Sequence, residues 1–412
     1  MTPSAEPVAI ERIAAGGDGV GRLPDGRTVF VPRSAPGDLV TLRDVALHKR
    51  FARARIADVV AHAPGRVVPP CPHYVRDQCG GCQLQHLTRE AQEAAKRAIV
   101  GDALRRLGRF DVADPDLEPA PAEWHYRARI TLHRDSRADR IGFHRLGAAG
   151  HVFELEQCLI ADARLVELWR VLRRYRALLP AQFDGLTLRI ERGGPRHVLV
   201  RAAGDDAWLK GRELATRLAS AGQPATVWWQ PIRGAARVVG GGDDLFPAAA
   251  FEQVNPAMGD RLRAHALQLL GDVAARHVWD LYAGIGEATA ALALAGASVE
   301  SVEADRQAVQ VAEARGPIGP RRLAARVEDA IPRLKPPTLV LTNPPRGGMA
   351  PSAVDAIAAH APERLVYVSC DPATLARDLV RLGPGYGLAH VRAFDLFPQT
   401  AHVETVALME RQ

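Results

Sequence analysis

Five cysteines punctuate the 412-residue chain, and their neighbours sort them into two kinds of chemistry. Cys71, Cys79 and Cys82 crowd one short stretch, Cys71-Pro72-His73 followed by Cys79-Gly80-Gly81-Cys82, whose glycines let the backbone fold around a small body. Their C-x7-C-x2-C spacing needs a fourth ligand, for which Cys158 is the thiol left besides Cys370. Four thiolates suit zinc or an iron–sulfur cluster, and spacing does not choose between them. It does depart from the tighter C-x3-C-x2-C of a radical enzyme's cluster. Cys370 stands apart, in Val366-Tyr367-Val368-Ser369-Cys370-Asp371-Pro372. There an apolar, β-branched run breaks at a cysteine, and the proline behind it suits the first turn of a helix. In an open α/β sheet a thiol at such a strand tip faces the ligand crevice, where it can act as a nucleophile. The plain alternative is a small buried hydrophobe.

Two further patterns carry chemistry. His277-Val278-Trp279-Asp280-Leu281-Tyr282-Ala283-Gly284-Ile285-Gly286-Glu287 reads as a strand, a glycine turn and a helix start, and Gly284 and Gly286 let a ligand approach the backbone at a helix N-terminus. Thr289 holds the place of the third glycine that a dinucleotide fingerprint requires. The next strand, Ser298 to Val302, ends in Glu303, placed to accept from both hydroxyls of a ribose. Asp280, the turn and Glu303 together favour S-adenosylmethionine over a dinucleotide. A later strand, Thr338 to Thr342, runs into Asn343-Pro344-Pro345-Arg346, whose prolines stiffen a loop pointing into the crevice. In the final strand, His402 to Met409, Glu404 shares a face with Val406 and Leu408. An acid among apolar neighbours has a raised pKa, which suits a group that takes up and releases a proton near neutrality.

These groups need elements to hold them. The length suggests roughly two to four domains, and 47% hydrophobic content is ample for their cores. Residues 1–66 read as short strands with turn punctuation, an OB-like barrel of the kind that binds single-stranded nucleic acid. The glycines at 16–21 fit a tight turn; no Lys-Ser/Thr follows them, as a phosphate loop would need. Residues 67–245 form an α+β unit around the clustered cysteines, with a helix from Arg89 to Leu107. Trp124 to His133 alternates, so that His125, Arg127, Arg129, Thr131 and His133 share a basic face suited to RNA, continued by Ile141 to Arg145. The segment from 163 to 240 is weakly patterned, and Gly240-Gly241-Gly242-Asp243-Asp244 reads as an exposed turn or hinge. Residues 246–412 alternate strands and helices, an α/β doubly wound domain. A formal charge of +6 favours an acidic partner such as RNA. An odd cysteine count argues against a disulfide framework. The sequence has neither an apolar run of about 18 residues nor a charged leader with an apolar core, so a soluble cytoplasmic protein is the expectation, and a monomer is expected alongside it.

Several stretches resemble known families. Residues 1–66 resemble a TRAM domain, an RNA-binding barrel. Cys71-Pro72-His73 with Cys79-Gly80-Gly81-Cys82-Gln83-Leu84-Gln85-His86 is similar to the cluster motif of RNA 5-methyluridine methyltransferases of the 23S ribosomal RNA type. Val368 to Asp378 is similar to that family's nucleophile motif, Phe397 to Thr405 to its general-base motif, and Phe251-Glu252-Gln253-Val254-Asn255 to a cofactor motif. The resemblance implies a C-terminal class I, Rossmann-like methyltransferase sheet behind the TRAM barrel and the cluster-bearing domain. It implies a 4Fe-4S cluster on Cys71, Cys79, Cys82 and Cys158, with no redox step. It also implies cofactor contacts from Gln253, Tyr282, Glu287 and Glu303. Two departures stand out: Asn343 replaces the family's aspartate at the methyl-transfer site, and Arg326 replaces an asparagine.

That chemistry explains why a thiol and a base occur together. Carbon 5 of uracil is a poor nucleophile until a thiolate, here Cys370, adds to carbon 6. After methyl transfer the carbon-5 proton must leave, and Glu404 is the base. Such a uridine is reached in a loop or flipped from its stack. The sequence leaves open the same reaction on the transfer RNA T-loop, a non-catalytic RNA-binding protein that kept the fold, and a zinc-stabilised module.

Overall fold

The computed structural model describes residues 6–192, 194–204, 207–242 and 252–412. Asp243 and Asp244 of the glycine-rich turn, Ala248 to Phe251 ahead of Gln253, and the boundary expected at 245/246 lie outside the described residues.

The first strands, Val8–Ile13, Asp18–Arg22, Thr28–Pro32, Phe51–Ala61 and Leu39–Leu47, close in that spatial order into a five-stranded barrel. Alternate residues Val8, Ile10, Val29, Val31, Val40 and Leu42 point inward and make its core. Burying each is worth about 1.5–3 kcal/mol. The glycine segment is the tight turn expected, with Ala14 and Asp18 closing it at 2.8 Å.

A six-stranded sheet follows, ordered Arg237–Gly240, Thr226–Gln230, Arg196–Ala202, Phe183–Ile190, Arg129–Asp135 and Arg140–Gly142. The weakly patterned segment thus supplies four of its strands. The alternating run is shorter than the sequence suggested. His125 adopts a left-handed φ of 56°, Arg127 makes an isolated bridge to Ala161, and the strand begins at Arg129.

The C-terminal sheet has eight strands, ordered Arg321–Ala324, Ser298–Glu303, His277–Leu281, Leu339–Thr342, Arg364–Ser369, Glu404–Arg411, Tyr386–Phe394 and Asp116–Glu118. Every neighbouring pair is parallel except the two that involve Glu404–Arg411. An antiparallel strand starts where its parallel neighbours end. Its first residue, Glu404, therefore arrives at the crevice edge that Cys370 occupies.

The outermost strand and the helix Arg89–Arg106 come from the stretch that the sequence assigned to the central domain, yet the strand joins the C-terminal sheet and the helix packs into that sheet's core. Ile99, Val100 and Leu104 of the helix share a core with Leu375 and Leu379 of the helix Pro372–Arg381. Buried Lys96 pairs with Asp395. No helix among the described residues is long and apolar enough to cross a membrane.

Candidate active site and cysteine cavity

The strand Arg364–Ser369 is buried on both faces, and Asp371 stops it by capping the next helix, its carboxylate accepting from Ala373 and Thr374 N–H at 3.0 Å. Pro372 occupies the first helical turn, as the sequence suggested. Cys370 is left at the tip, half-buried. Ser369 pairs with Thr405 in the ladder to the last strand. One step further, Cys370 and Glu404 line the same cavity of about 750 Å³, together with Gln253, Tyr282, Gly284, Glu303, Asn343, Arg346 and His402.

Burial governs the protonation of this site. Glu404 is 3% exposed, and desolvation pushes its carboxyl up to about 8 against the pull of Arg346. Burial also raises the Cys370 thiol; Glu404 adds to the rise and Arg346 opposes it. Desolvation, with Arg346 and Arg127 nearby, lowers His402 to about 4, so its ring is neutral at physiological pH. Arg346 is thus the cation that both acids of the site feel. Its sequence signal was its place behind the proline pair; His402 carried none beyond lying two positions before Glu404. Arg127 and Arg129 come from the central domain to line the same cavity.

The glycine turn forms the neighbouring wall. Tyr282, Gly284 and Gly286 have φ of 60°, 57° and 78°, a run of left-handed residues that turns the chain sharply between strand and helix. A β-carbon added at Gly284 meets nothing within 4 Å, so its backbone borders open space that a ligand can fill. Glu303 reaches across from its strand end, accepting from Gly284 N–H at 2.9 Å and Asp305 N–H at 2.8 Å. Each oxygen keeps a second lone pair for a hydroxyl. Beneath the turn, buried Asp280 accepts from the Thr289 hydroxyl at 2.5 Å, and desolvation raises it to about 6. The residue standing at the third-glycine position thus braces this acid. Glu287 lies in a smaller pocket behind the turn with Gln253, Tyr282, Gly284 and Asn343, and its carboxylate pairs with Arg263. Gly286 caps the following helix and lines neither cavity. The residues suggested for the cofactor therefore divide: Gln253, Tyr282, Gly284 and Asn343 touch both spaces, Glu303 the larger, and Glu287 the smaller.

A second cavity, about 570 Å³, is lined by Cys71, Cys79, Cys82 and Cys158, brought together from two distant segments. His73 joins these segments: its Nε2 accepts from Glu156 N–H at 3.1 Å, while Nδ1 lies 2.7 Å from Asp77. From the barrel, Arg33 stacks 3.9 Å over the Tyr74 ring and donates to the Cys79 carbonyl at 3.1 Å. Desolvation raises Cys79 to about 12, against the pull of Arg33, and raises Cys82 higher still. Among the described residues no three of His, Cys, Asp and Glu close tightly enough to hold a single metal ion. A tetrahedral zinc site keeps its sulfurs roughly 3.8 Å apart, set by Zn–S bonds of about 2.3 Å. Four thiols drawn into one cavity suit either zinc or an iron–sulfur cluster. Arg127 and Arg129 line this cavity too, so they form the partition between it and the active-site cavity.

Sequence comparison places the chain among known proteins. Residues 332–412 match the family described as tRNA (Uracil-5-)-methyltransferase, and residues 4–57 match the TRAM domain. An RNA methyltransferase of Gloeobacter violaceus is 34% identical, over 98% of this chain and 96% of its own length. The 23S rRNA (uracil(1939)-C(5))-methyltransferase of Chromohalobacter salexigens is 32% identical, over 99% of this chain and 90% of its own. Among solved structures, the tRNA (uracil-54, C5)-methyltransferase of Pyrococcus abyssi, crystallised with S-adenosyl-L-homocysteine, superposes with a TM-score of 0.75. It covers 98% of this chain and 100% of that one, at 22% identity, and so shares the fold. With full-length relatives at this identity, and with its TRAM barrel and methyltransferase sheet, the chain belongs to the RNA (uracil-C5) methyltransferase family.

Proposed function

We propose that this protein makes 5-methyluridine in 23S ribosomal RNA, with S-adenosylmethionine as methyl donor, Cys370 as nucleophile and Glu404 as base. The observation that carries this reading is the shared cavity: a strand-tip thiol and a buried carboxylate with a raised pKa face one space, which the glycine turn and Glu303 also border. The donor is held by Gln253, Tyr282, Gly284, Glu303 and Asn343, with Glu287 reaching it only by releasing Arg263. When bound, it supplies an electrophilic methyl group.

The residues then act in order. The Cys370 thiolate bonds to carbon 6 of uracil, and the carbon 5–carbon 6 π pair moves toward the carbonyl oxygen as an enolate. Carbon 5 returns that pair to the methyl carbon, whose bond to sulfur breaks and leaves a neutral thioether. Glu404 takes the carbon-5 proton, the double bond re-forms, and the Cys370 sulfur departs with its bonding pair. Arg346 offsets the negative charge that passes between thiolate and enolate.

RNA reaches this site over basic surface. Arg55 of the barrel, Arg140, Arg145 and His151 line a cleft of about 470 Å³ between barrel and central domain, and all four are exposed. Exposed arginines bordering one cleft attract phosphate. Arg127 and Arg129 extend the basic path to the active site. For the cysteine cavity we propose a 4Fe-4S cluster held by Cys71, Cys79, Cys82 and Cys158, in keeping with four thiols that line one cavity.

Mass mapping of 5-methyluridine in 23S ribosomal and transfer RNA from a deletion strain tests the assignment. The proposal expects one modified ribosomal uridine to disappear while the T-loop nucleotide stays. Loss of the T-loop methyl alone moves the substrate to transfer RNA.

A further inference from the structure

The connection 395–403 joins the last two strands of the catalytic sheet, and it is fastened from outside that sheet. Gln399 is its centre. Only 2% exposed, it holds a left-handed φ of 70°, a conformation that a non-glycine residue keeps only where its surroundings impose it. Its N–H donates to Gln92 Oε1 at 2.8 Å, and its carbonyl accepts from Leu84 N–H at 3.0 Å. In the side chain, Oε1 accepts from Gln92 Nε2 at 3.0 Å and Nε2 donates to Glu123 Oε2 at 3.3 Å.

Its neighbours are tied in the same way. Lys96 donates to the Phe397 carbonyl at 3.0 Å, the Tyr126 hydroxyl donates to the Pro398 carbonyl at 2.9 Å, and Ala401 N–H donates to Gln83 Oε1 at 3.4 Å. The barrel closes the assembly: a β-carbon at Gly17 would lie 2.6 Å from that of Gln83 and 3.1 Å from that of Ala401. Gln83 and Leu84 directly follow Cys82. The anchors therefore come from the cysteine segment, from the helix Arg89–Arg106 and from the segment 123–126, and they converge on the loop that ends at Glu404. By contrast, among the described residues the Glu404 carboxylate has no hydrogen-bond donor of its own. Its placement depends on the backbone that leads to it.

We propose that Gln399 is a positioning residue for proton abstraction: it fastens the 395–403 connection to the segment after Cys82 and to the helix Arg89–Arg106, and so sets Glu404 against the cavity. The inference rests on the reading of Cys370 as nucleophile and Glu404 as base. It assigns the cysteine segment a mechanical part in the last step, without any part in electron transfer. It also separates the two halves of the reaction, because Cys370 is held by its own strand and by the Asp371 cap, and among the described residues no hydrogen bond joins either of these to Gln399.

Single-turnover assays of the full-length, cofactor-loaded protein on uridine RNA follow the covalent enzyme–RNA adduct as it appears and as it resolves to product. Gln399→Glu loses the donor to Glu123 and sets two carboxylates side by side. The adduct is expected to appear at a rate within about threefold of wild type and to resolve roughly 10- to 100-fold more slowly, the scale of a misplacement near 1 Å. Adding Glu123→Gln restores a donor–acceptor pair and should return most of the resolution rate. If the Gln399→Glu chain does not fold, Gln399→Gly keeps the left-handed backbone and both main-chain bonds and should show the same division between the steps. Resolution at the wild-type rate, or equal slowing of both steps with no rescue by Glu123→Gln, overturns the inference. A wild-type chain that forms no Cys370-dependent adduct overturns the functional reading along with it.

Discussion

Cys370 and Glu404 lie across from each other one step past the Ser369–Thr405 pair, where the antiparallel ladder of the catalytic sheet runs out into a shared cavity. This arrangement couples their charges. Glu404 raises the Cys370 thiol, and Arg346 opposes the rise at both groups. Once the sulfur is bonded to carbon 6 it carries no charge, so the carboxylate facing it ionises more readily. In the proposed mechanism, adduct formation thereby prepares the base for the step that follows.

Protonation of Glu404 should therefore be visible in rate and in stability. Its folded-state pKa of about 8 lies above the ordinary 4.5, so the neutral carboxyl is favoured by folding. That stabilisation is complete below about pH 4.5 and lost as the pH rises through about 8. Adduct resolution should speed up with pH and level off at or below about pH 8, because the adduct eases ionisation of Glu404, and Glu404→Gln should abolish both the limb and the turnover. In thermal melts, the Tm of Glu404→Gln minus that of wild type should grow between pH 5 and pH 9. A difference that does not change with pH contradicts the buried, neutral acid.

Asn343 lines both the large cavity and the pocket behind the glycine turn. Asn343→Asp restores a negative charge facing the sulfonium donor. Opposite charges in a partly enclosed site are worth about 1 kcal/mol, so KM for S-adenosylmethionine should fall severalfold while kcat holds or rises. Weaker donor binding in this variant removes Asn343 from the donor site.

The cleft lined by Arg55, Arg140 and Arg145 makes an electrostatic prediction. Each phosphate contact contributes about 0.7 to 0.9 to the slope of log affinity against log salt. Changing all three arginines to Gln should reduce the slope by about 2 to 3 and weaken every RNA tested, with little change in kcat at saturation. An unchanged slope takes the cleft off the RNA path.

For the cysteine cavity, anaerobically purified protein should be brown and contain about four iron and four sulfide per chain. Cys158→Ala should lose the colour. One zinc per chain, without sulfide, contradicts the cluster.

Local patterns marked the residues proposed for the site because each is announced by its immediate neighbours. The β-branched run ending at Cys370, the glycines at 284 and 286 and the acid ending the strand at Glu303 all lie within their own elements. Partners from distant segments left no local trace. Nothing near Arg127 or Arg129 says that they divide two cavities, and a three-residue strand such as Asp116–Glu118 has too short a period to reveal which sheet it joins. The alternation around His125 suggested one long strand, but its left-handed φ breaks the run where His125 bonds to Leu159 and Ala161 of a distant segment. Likewise, the ion pair of Glu287 with Arg263 joins two helices that the sequence shows separately.

The central claim is that Cys370 bonds to the target uridine. Incubation with 5-fluorouridine RNA and S-adenosylmethionine tests it most directly, because fluorine at carbon 5 cannot leave as a proton and the adduct is trapped. The wild-type chain should give a complex stable to denaturation, with the RNA mapped by mass to Cys370, and Cys370→Ala should give none. A normal complex in Cys370→Ala would contradict the account.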